Sequence, residues 1–361
     1  DSSGVDERVA MRLALDLAWR GWGRVHPNPL VGAVVLADGE VAGQAFHAEF
    51  GGPHAEPLAL AAAGPRARGA TLVTTLEPCN HHGKQPPCTD AILAAGIRRV
   101  VLAMPDPNPT ASGGIGRLRT AGVVVETGVL REEAERQNGA FVHLLREPAR
   151  PWVVLKLATS LDFRIADAAG RSRWISGPEA REYVHWLRAG FDGIGIGVGT
   201  ARADDPRLSV RGAVDVRLPP ARVVFDRRLE LPHELGLVRT AAEARTVVVT
   251  EPGAPEGRAR ALEALGVTVL RAAAPAEGLA ALRQAGVTAL LVEGGGGLAG
   301  GLLDAGLVDR FHWIQAPLWL GDRGVPAVRG LASPPIAEAA RWHVIERRAL
   351  GSDTLLVLER S

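Results

Sequence analysis

The first quarter of the chain contains residue types that could hold a metal ion and move a proton. His54 and Glu56 stand two positions apart at the start of an expected helix, and Cys79 and Cys88 follow with eight residues between them. One imidazole and two thiolates leave a tetrahedral zinc ion an open position, which is typical of catalytic rather than structural sites. Zinc lowers the pKa of water that it binds to about 7. We therefore predict that His54, Cys79 and Cys88 bind zinc and that Glu56 is a general acid/base.

The spacing indicates hydrolytic deamination but differs from that of zinc deaminases that act on nucleic-acid bases. Those enzymes carry the pattern H-x-E…P-C-x-x-C. Here the first part matches, whereas residues 80–87, NHHGKQPP, separate the two cysteines. This longer segment contains Lys84, whose ammonium could hold a phosphate. It also contains His81 and His82, which are either surface residues or a second pair of ligands. The pattern favours a small phosphorylated substrate.

The elements that must position these residues alternate between strands and helices. Period-2 and period-3.6 patterns predict strands over 30–36, 41–46, 70–75, 99–103 and 123–126, and helices over 54–63, 89–95, 115–120 and 132–145. Such alternation is typical of an α/β sandwich with a partly parallel sheet. Residues 146–151, REPARP, interrupt the periodicity and form the best candidate for a linker between domains.

The second half begins with a strand over 152–157. Its most regular part is a β-α-β-α-β run, with strands over 246–250, 267–270 and 289–293 and helices over 258–265 and 278–285. After the last strand, Gly295, Gly297 and Gly300 fit the dinucleotide-binding pattern G-x-G-x-x-G. No acidic residue ends a following strand to bind a ribose 2′-hydroxyl, which argues against an ordinary NAD-binding Rossmann domain.

Composition limits the classes of protein to which the chain could belong. Its 361 residues suggest two domains, and 41 Lys and Arg against 40 Asp and Glu give no basic excess for nucleic acid or a membrane surface. Two cysteines do not form a secreted disulfide framework. No apolar run reaches the roughly 18 residues of a membrane span. We expect a cytoplasmic enzyme with no nucleic-acid or membrane partner.

Several motifs, in order along nearly the whole chain, resemble the bifunctional riboflavin-biosynthesis deaminase/reductase family. In the first half they are NPLVG at 28–32, TLEPCNHHGKQPPC at 75–88 and DPNP at 106–109. In the second half they are KLATSLD at 156–162, SRWIS at 172–176, LRA at 187–189, GT at 199–200, DDP at 204–206 and VEGG at 292–295.

This resemblance implies a two-domain α/β protein with two activities. A cytidine-deaminase-like three-layer α/β/α domain would span residues 1–147, and a dihydrofolate-reductase-like α/β domain would span 150–361. The first would remove the 2-amino group of 2,5-diamino-6-ribosylamino-4(3H)-pyrimidinone 5′-phosphate by hydrolysis. The second would use NADPH to reduce the ribosyl group to a ribityl chain. The resemblance also implies a homo-oligomer, a dimer or larger.

The resemblance further implies roles for individual residues. Asn28 would contact the pyrimidine, and Lys84 the phosphate side of the substrate. The nicotinamide cofactor would lie near Ala158, Trp174, Thr200, Asp204, Gly295, Gly296 and Gly297. The sugar phosphate would lie near Ser172, Arg188, Leu208, Arg211 and Glu293, with the two arginines as phosphate forks. Lys156 is a possible catalytic residue of the reductase, near the carbon that is reduced.

The chain departs from the family pattern at Phe163, where glycine is usual. If that position needs a positive φ or a close approach of the cofactor, phenylalanine is costly. This leaves a second hypothesis, a diverged paralogue in which only the deaminase half is active. A third hypothesis is a deaminase of a different base or nucleotide, including nucleic-acid bases. A fourth is a structural zinc module, which would need four protein ligands.

Overall fold

A computed structural model describes residues 5–83, 85–212 and 214–360 of the chain. Lys84 therefore lies outside the described residues. The chain divides into two compact units, Asp1–Arg146 and Glu147–Ser361, and the division falls at the start of the proline-containing segment 146–151. Throughout the described ranges, every helix is too short or too polar to cross a membrane.

Within the described residues of the first unit, five strands form one sheet in the order β2-β1-β3-β4-β5. The strands are β1 (Gly32–Ala37), β2 (Glu40–Phe46), β3 (Thr71–Leu76), β4 (Arg99–Met104) and β5 (Val124–Thr127). β1 pairs antiparallel with β2 and β3, while β3, β4 and β5 are parallel to one another. β1 is buried along its whole length, as expected for a strand covered on both faces of the sheet.

Among the α-helices that accompany this sheet, the first precedes β1 and the others follow β2, β3, β4 or β5. They are α1 (Glu7–Ala18), α2 (Ala55–Ala63), α3 (Cys88–Ala95), α4 (Gly114–Thr120), α5 (Arg131–Gln137) and α6 (Gly139–Arg146). The prediction of a single helix over 132–145 is wrong, because the helix is broken at Asn138. The buried Asn138 side chain accepts a hydrogen bond from the Leu30 N–H (2.7 Å) and donates one to the Leu30 carbonyl (3.0 Å).

The second unit is built on a larger sheet. Its strands, in chain order, are β6 (Trp152–Thr159), β7 (Arg164–Ala166), β8 (Gly193–Gly197), β9 (Ala221–Phe225), β10 (Thr246–Thr250), β11 (Thr268–Arg271), β12 (Ala289–Glu293), β13 (Arg310–Gln315), β14 (Val325–Pro326), β15 (Trp342–Leu350) and β16 (Asp353–Arg360). Over the described ranges, nine of them form one sheet in the order β11-β10-β9-β8-β12-β6-β13-β16-β15. β7 and β14 pair separately.

The strands from β11 to β13 in this sheet are all parallel, and β16 and β15 are antiparallel additions at one edge. The helices are α7 (Pro178–Arg188), α8 (Val198–Asp204), α9 (Gly236–Arg239), α10 (Glu256–Ala264), α11 (Pro275–Gln284) and α12 (Gly296–Asp304). The predicted β-α-β-α-β run corresponds to β10, α10, β11, α11 and β12. Because parallel strands end at the same edge of a sheet, the loops after them surround one crevice.

Candidate functional site

In the first unit, the three predicted zinc ligands lie at the ends of elements. His54 is the N-cap residue of α2, Cys88 is the first residue of α3, and Cys79 lies in the loop after β3. Their ligand atoms all lie within 4.8 Å of one another, and the described group includes neither His81 nor His82.

The distances between these atoms suit a tetrahedral metal ion. His54 Nδ1 lies 3.2 Å from Cys88 Sγ and 3.5 Å from Cys79 Sγ. Ligands bound at about 2.0–2.3 Å to tetrahedral zinc stand roughly 3.5 Å apart. The donor set of one imidazole and two buried cysteines therefore fits zinc and leaves room for a fourth, exchangeable ligand.

The two cysteines share an environment that favours a thiolate. A hydrogen bond from the Cys88 thiol, together with those from His54 and the Cys88 backbone N–H, lowers the pKa of Cys79 to about 4. The same hydrogen bond and burial raise the pKa of Cys88. The hydrogen bond with Cys79 raises the pKa of His54. Cys79 is therefore a thiolate at neutral pH, which is the form in which a cysteine binds a metal ion.

Glu56 lies in the first turn of α2 and is 3% exposed. One of its carboxylate oxygens is 3.6 Å from Cys88 Sγ. Burial raises the pKa of Glu56 to about 7. A carboxyl group with such a pKa can both accept and release a proton near neutral pH, which is what a general acid/base must do.

A cavity of about 270 Å³ adjoins His54, Glu56 and Cys79, and Asn28 forms part of its wall. The amide nitrogen of Asn28 lies 3.1 Å from Nε2 of His47, and His47 Nδ1 lies 2.9 Å from the Pro53 carbonyl. Since a carbonyl only accepts, Nδ1 carries the proton and Nε2 accepts from the Asn28 amide. His47 thus fixes the orientation of Asn28. Sequence reasoning missed His47, because a lone histidine at the end of a strand carries no motif.

Glu77 holds another wall of this cavity in place. Its buried carboxylate accepts hydrogen bonds from the backbone N–H groups of Asp106 (3.1 Å), Gly113 (3.0 Å) and Ile115 (3.0 Å). The segment fixed in this way contains Asn108, which lines the cavity together with Asp106. Burial raises the pKa of Asp106 to about 6. In the sequence, the DPNP motif supports only the family resemblance and indicates no role for these residues.

A much larger cavity, of about 1480 Å³, opens in the second unit at the carboxyl edge of the parallel strands. All the residues that the sequence analysis assigned to the reductase half line this cavity. They are Lys156, Ala158, Ser172, Trp174, Arg188, Thr200, Asp204, Leu208, Arg211, Glu293, Gly295, Gly296 and Gly297. The cavity therefore brings together residues from all six motifs of the second half, which span positions 156–295.

A buried charge cluster lies in the wall of the large cavity. Nη2 of Arg188 donates to Glu293 at 3.0 Å, its Nε donates to the other carboxylate oxygen, and Nζ of Lys156 is 3.5 Å from the same group. Burial alone would raise the pKa of Glu293, but the two cations lower it to about 2. The expectation that Arg188 directs its fork at a phosphate is therefore revised, because that edge binds a carboxylate. Arg211 remains exposed on the cavity wall.

The glycine-rich loop after β12 has the conformation that its pattern requires. Gly295 has φ +88°, which favours glycine, and α12 begins at the next residue. A Cβ at Gly300 would lie 1.7 Å from the Arg329 carbonyl, whereas one at Gly297 would meet open space. Gly295 therefore makes the turn and Gly300 allows close packing. The backbone at Gly297 stays accessible to a ligand at the helix N-terminus.

Phe163 does adopt a left-handed conformation, with φ +58°. Its ring packs edge-on against Trp313, with 5.4 Å between centroids, and its carbonyl accepts a hydrogen bond from Ala327. Phe163 is not among the described residues that line the cavity. The unusual residue therefore costs conformational energy but does not obstruct the large cavity.

Comparisons with known proteins find relatives of both halves of the chain. Residues 5–104 match the cytidine and deoxycytidylate deaminase zinc-binding region, and residues 151–356 match the RibD C-terminal domain. The chain is similar to riboflavin biosynthesis protein RibD of Aquifex aeolicus, with 38% identity and 97% of each chain covered. It is also similar to RibD of Synechocystis, with 40% identity, 97% of this chain and 95% of the relative.

Among solved structures, the chain is similar to a diaminohydroxyphosphoribosylaminopyrimidine deaminase/5-amino-6-(5-phosphoribosylamino)uracil reductase from Thermotoga maritima. The TM-score is 0.84 at 34% identity, with 98% of this chain and 99% of that chain covered. These likenesses confirm the predicted fold class, a cytidine-deaminase-like domain followed by an α/β reductase domain.

Proposed function

Because the chain belongs to the RibD family of riboflavin biosynthesis proteins, we propose that its two cavities carry out the two reactions of that family in turn. The chain is a deaminase and a reductase, with zinc and NADPH as cofactors. Its substrate is 2,5-diamino-6-ribosylamino-4(3H)-pyrimidinone 5′-phosphate. The deaminase product is then reduced from a ribosyl to a ribityl compound.

The convergence of His54, Cys79 and Cys88 beside a buried acid carries the proposal for the first reaction. Bound zinc supplies the Lewis acid that activates water at neutral pH. Glu56 takes a proton from water, whose oxygen forms a new C–O bond at the carbon that carries the 2-amino group. Glu56 then gives the proton to the departing amine, so that the C–N bond breaks and ammonia leaves. Asn28, oriented by His47, holds the pyrimidine, and Asp106 and Asn108 complete the pocket wall.

The second reaction is proposed for the large cavity of the second unit. NADPH supplies the hydride for the reduction. Gly295, Gly296 and Gly297 would hold its phosphates at the start of α12, and Thr200 and Asp204 would line its site. The charge cluster of Lys156, Arg188 and Glu293 would hold the sugar at the reacting carbon, and Arg211 would bind its phosphate. Lys84 keeps its proposed role at the phosphate side of the first substrate.

Separate measurement of the two activities tests this proposal. Glu56→Gln should lower ammonia release by about 10²-fold or more, while NADPH oxidation with the deaminated substrate stays unchanged. Lys156→Met should lower NADPH oxidation and leave ammonia release unchanged. Loss of both activities in a folded Glu56→Gln variant would contradict a model with two separate sites.

The other hypotheses make different predictions. A half-active paralogue would not bind NADPH, but the position of Phe163 away from the cavity removes the reason for that hypothesis. A nucleic-acid base deaminase would bind single strands in a salt-sensitive way, which the net charge of +1 does not favour. The proposed homo-oligomer is tested by light scattering after size-exclusion chromatography, in which a monomeric mass would overturn it.

A further inference from the structure

The large cavity extends well beyond the charge cluster at which the reduction is proposed. Glu293 is the last residue of β12, Lys156 is its register partner on β6, and the glycine-rich loop follows β12. The cavity then continues past β8 to the carboxyl ends of β9 and β10, where Arg227 and Glu251 line it. If the reactive ring lies at the charge cluster and the phosphates at the glycines, the far end remains for the adenosine. This inference rests on the proposed reductase function.

An ion pair of opposite charges lies at this far end. Nη1 of Arg227 is 3.7 Å from Oε1 of Glu251, and their side chains are 78% and 47% exposed. Such exposed pairs contribute little to stability and exchange partners readily. Asp226 also lines the cavity, but it is buried and accepts a hydrogen bond from the Leu231 N–H.

Other arginines near this edge have different contacts. Arg271 donates to the backbone carbonyls of Pro252 and Ala254. Arg228 lies 3.7 Å from Glu230 and is not among the described residues that line the cavity. Among the described cations that directly follow β9, β10 and β11, Arg227 is thus the one on the cavity wall.

The backbone of Arg227 is fixed, although its side chain is exposed. Its carbonyl accepts hydrogen bonds from the Glu251 N–H (3.1 Å) and from the Thr250 hydroxyl (2.9 Å). The loop after β9 is therefore tied to the end of β10. This anchoring places the guanidinium at the cavity with little loss of loop entropy when it binds a ligand.

We propose that Arg227 binds the 2′-phosphate of NADPH and that Arg227 and Glu251 together set the preference for NADPH over NADH. In dinucleotide sites, an acidic residue accepts from the ribose 2′-hydroxyl of NAD, and a nearby arginine accommodates the 2′-phosphate of NADP. Here the carboxyl edge of β9 and β10 presents both an arginine, Arg227, and an acidic residue, Glu251. The guanidinium leaves Glu251 for the phosphate, whose charge the carboxylate alone would repel.

Calorimetric titration of the full chain with 2′,5′-ADP and 5′-ADP tests this proposal without relying on activity. The wild type should bind 2′,5′-ADP more tightly, and Arg227→Gln should reduce that preference by about tenfold or more, as for a lost charged hydrogen bond. Glu251→Gln should increase the preference. Arg228→Gln, on the same loop, is the matched control and should leave it unchanged.

Steady-state kinetics supply the second measurement. Arg227→Gln should raise KM for NADPH and leave kcat, and KM for NADH, close to the wild-type values. An unchanged preference for 2′,5′-ADP in a folded Arg227→Gln variant would overturn the inference. A wild type that bound neither nucleotide nor NADPH would instead contradict the proposed reductase function.

Discussion

The Glu293 carboxylate and the Arg188 guanidinium form a bidentate ion pair in the wall of the large cavity. Their side chains are 10% and 13% exposed, and Lys156 lies beside the same carboxylate. The charge of Glu293 is maintained at neutral pH, because the two cations overcome the effect of burial and lower the pKa to about 2. The cluster therefore carries one net positive charge in a largely water-excluded wall.

Glu293→Gln should destabilise the second unit strongly. Removing one partner of a buried ion pair leaves uncompensated charge and costs about 3–5 kcal/mol, here with two cations left behind. Urea unfolding should report this loss, and reductase activity should disappear while ammonia release persists. The control is Glu256→Gln, whose side chain is 62% exposed beside Arg271 and Arg260. It should change the free energy of unfolding by less than about 1 kcal/mol. Equal effects of the two variants would contradict this assignment.

Removal of zinc should abolish ammonia release but spare reduction. Cys79→Ser and Cys88→Ser each delete a thiolate, so metal analysis should find these variants largely zinc-free. Glu56→Gln should keep its zinc, because Glu56 is not among the clustered ligand atoms. His82→Ala is the matched control within the segment between the cysteines and should also keep its zinc. Loss of zinc from His82→Ala would restore the idea of a second ligand pair.

The zinc site was predictable because its residues are close in sequence and sit at element ends, where local patterns carry most information. The break in the 132–145 helix could not be predicted from the sequence, because Asn138 contacts Leu30, which lies in a distant part of the chain. The partner of Arg188 was missed for the same reason, because Glu293 comes together with it only through the sheet order.

The acidic residue that we propose for the cofactor site, Glu251, was also not predicted, for a topological reason. In a Rossmann domain such a residue follows the glycine-rich loop in sequence. The sheet order instead places β8 beside β12, with β9 and β10 following, so that Glu251 precedes the loop in sequence. The position of Glu251 therefore follows from the order of strands in the sheet and not from the order of residues in the chain.

Substitutions of Phe163 should change the free energy of unfolding and leave NADPH binding unchanged. A left-handed conformation costs a residue with a Cβ about 1–2 kcal/mol, and the edge contact with Trp313 returns about 0.5–1.5 kcal/mol. Phe163→Ala keeps the strain and loses the contact, whereas Phe163→Gly loses both. Urea unfolding should therefore find the glycine variant more stable than the alanine variant. The reverse order would show that the backbone is not strained at this position, and NADPH binding should be unaffected in both variants.

His312 should make the second unit sensitive to acid. Burial and the charges of Arg310 and Arg348 lower the pKa of His312 to about 3, and its Nδ1 is hydrogen-bonded to the Tyr183 hydroxyl (2.8 Å). The unfolded chain binds a proton at this histidine near its ordinary pKa of about 6.5, while the folded chain does not. His312 therefore does not reduce the free energy of unfolding above about pH 6.5. As the pH falls from about 6.5 toward about 3, protonation of the unfolded chain lowers that free energy by roughly 1.4 kcal/mol per pH unit.

The measurement is urea unfolding of the wild type and His312→Gln at several pH values between about 7.5 and 4.5. Glu56 and Asp106, whose pKa values are raised by burial, act in the opposite direction, because their folded forms bind protons more readily. They are unchanged in the variant, so the difference between the two proteins isolates His312. The free energy of unfolding of the wild type minus that of the variant should decrease as the pH falls below about 6.5, because only the wild type must keep a buried imidazole unprotonated in its folded state. A difference that stays constant over this range would show that His312 is protonated in the folded protein.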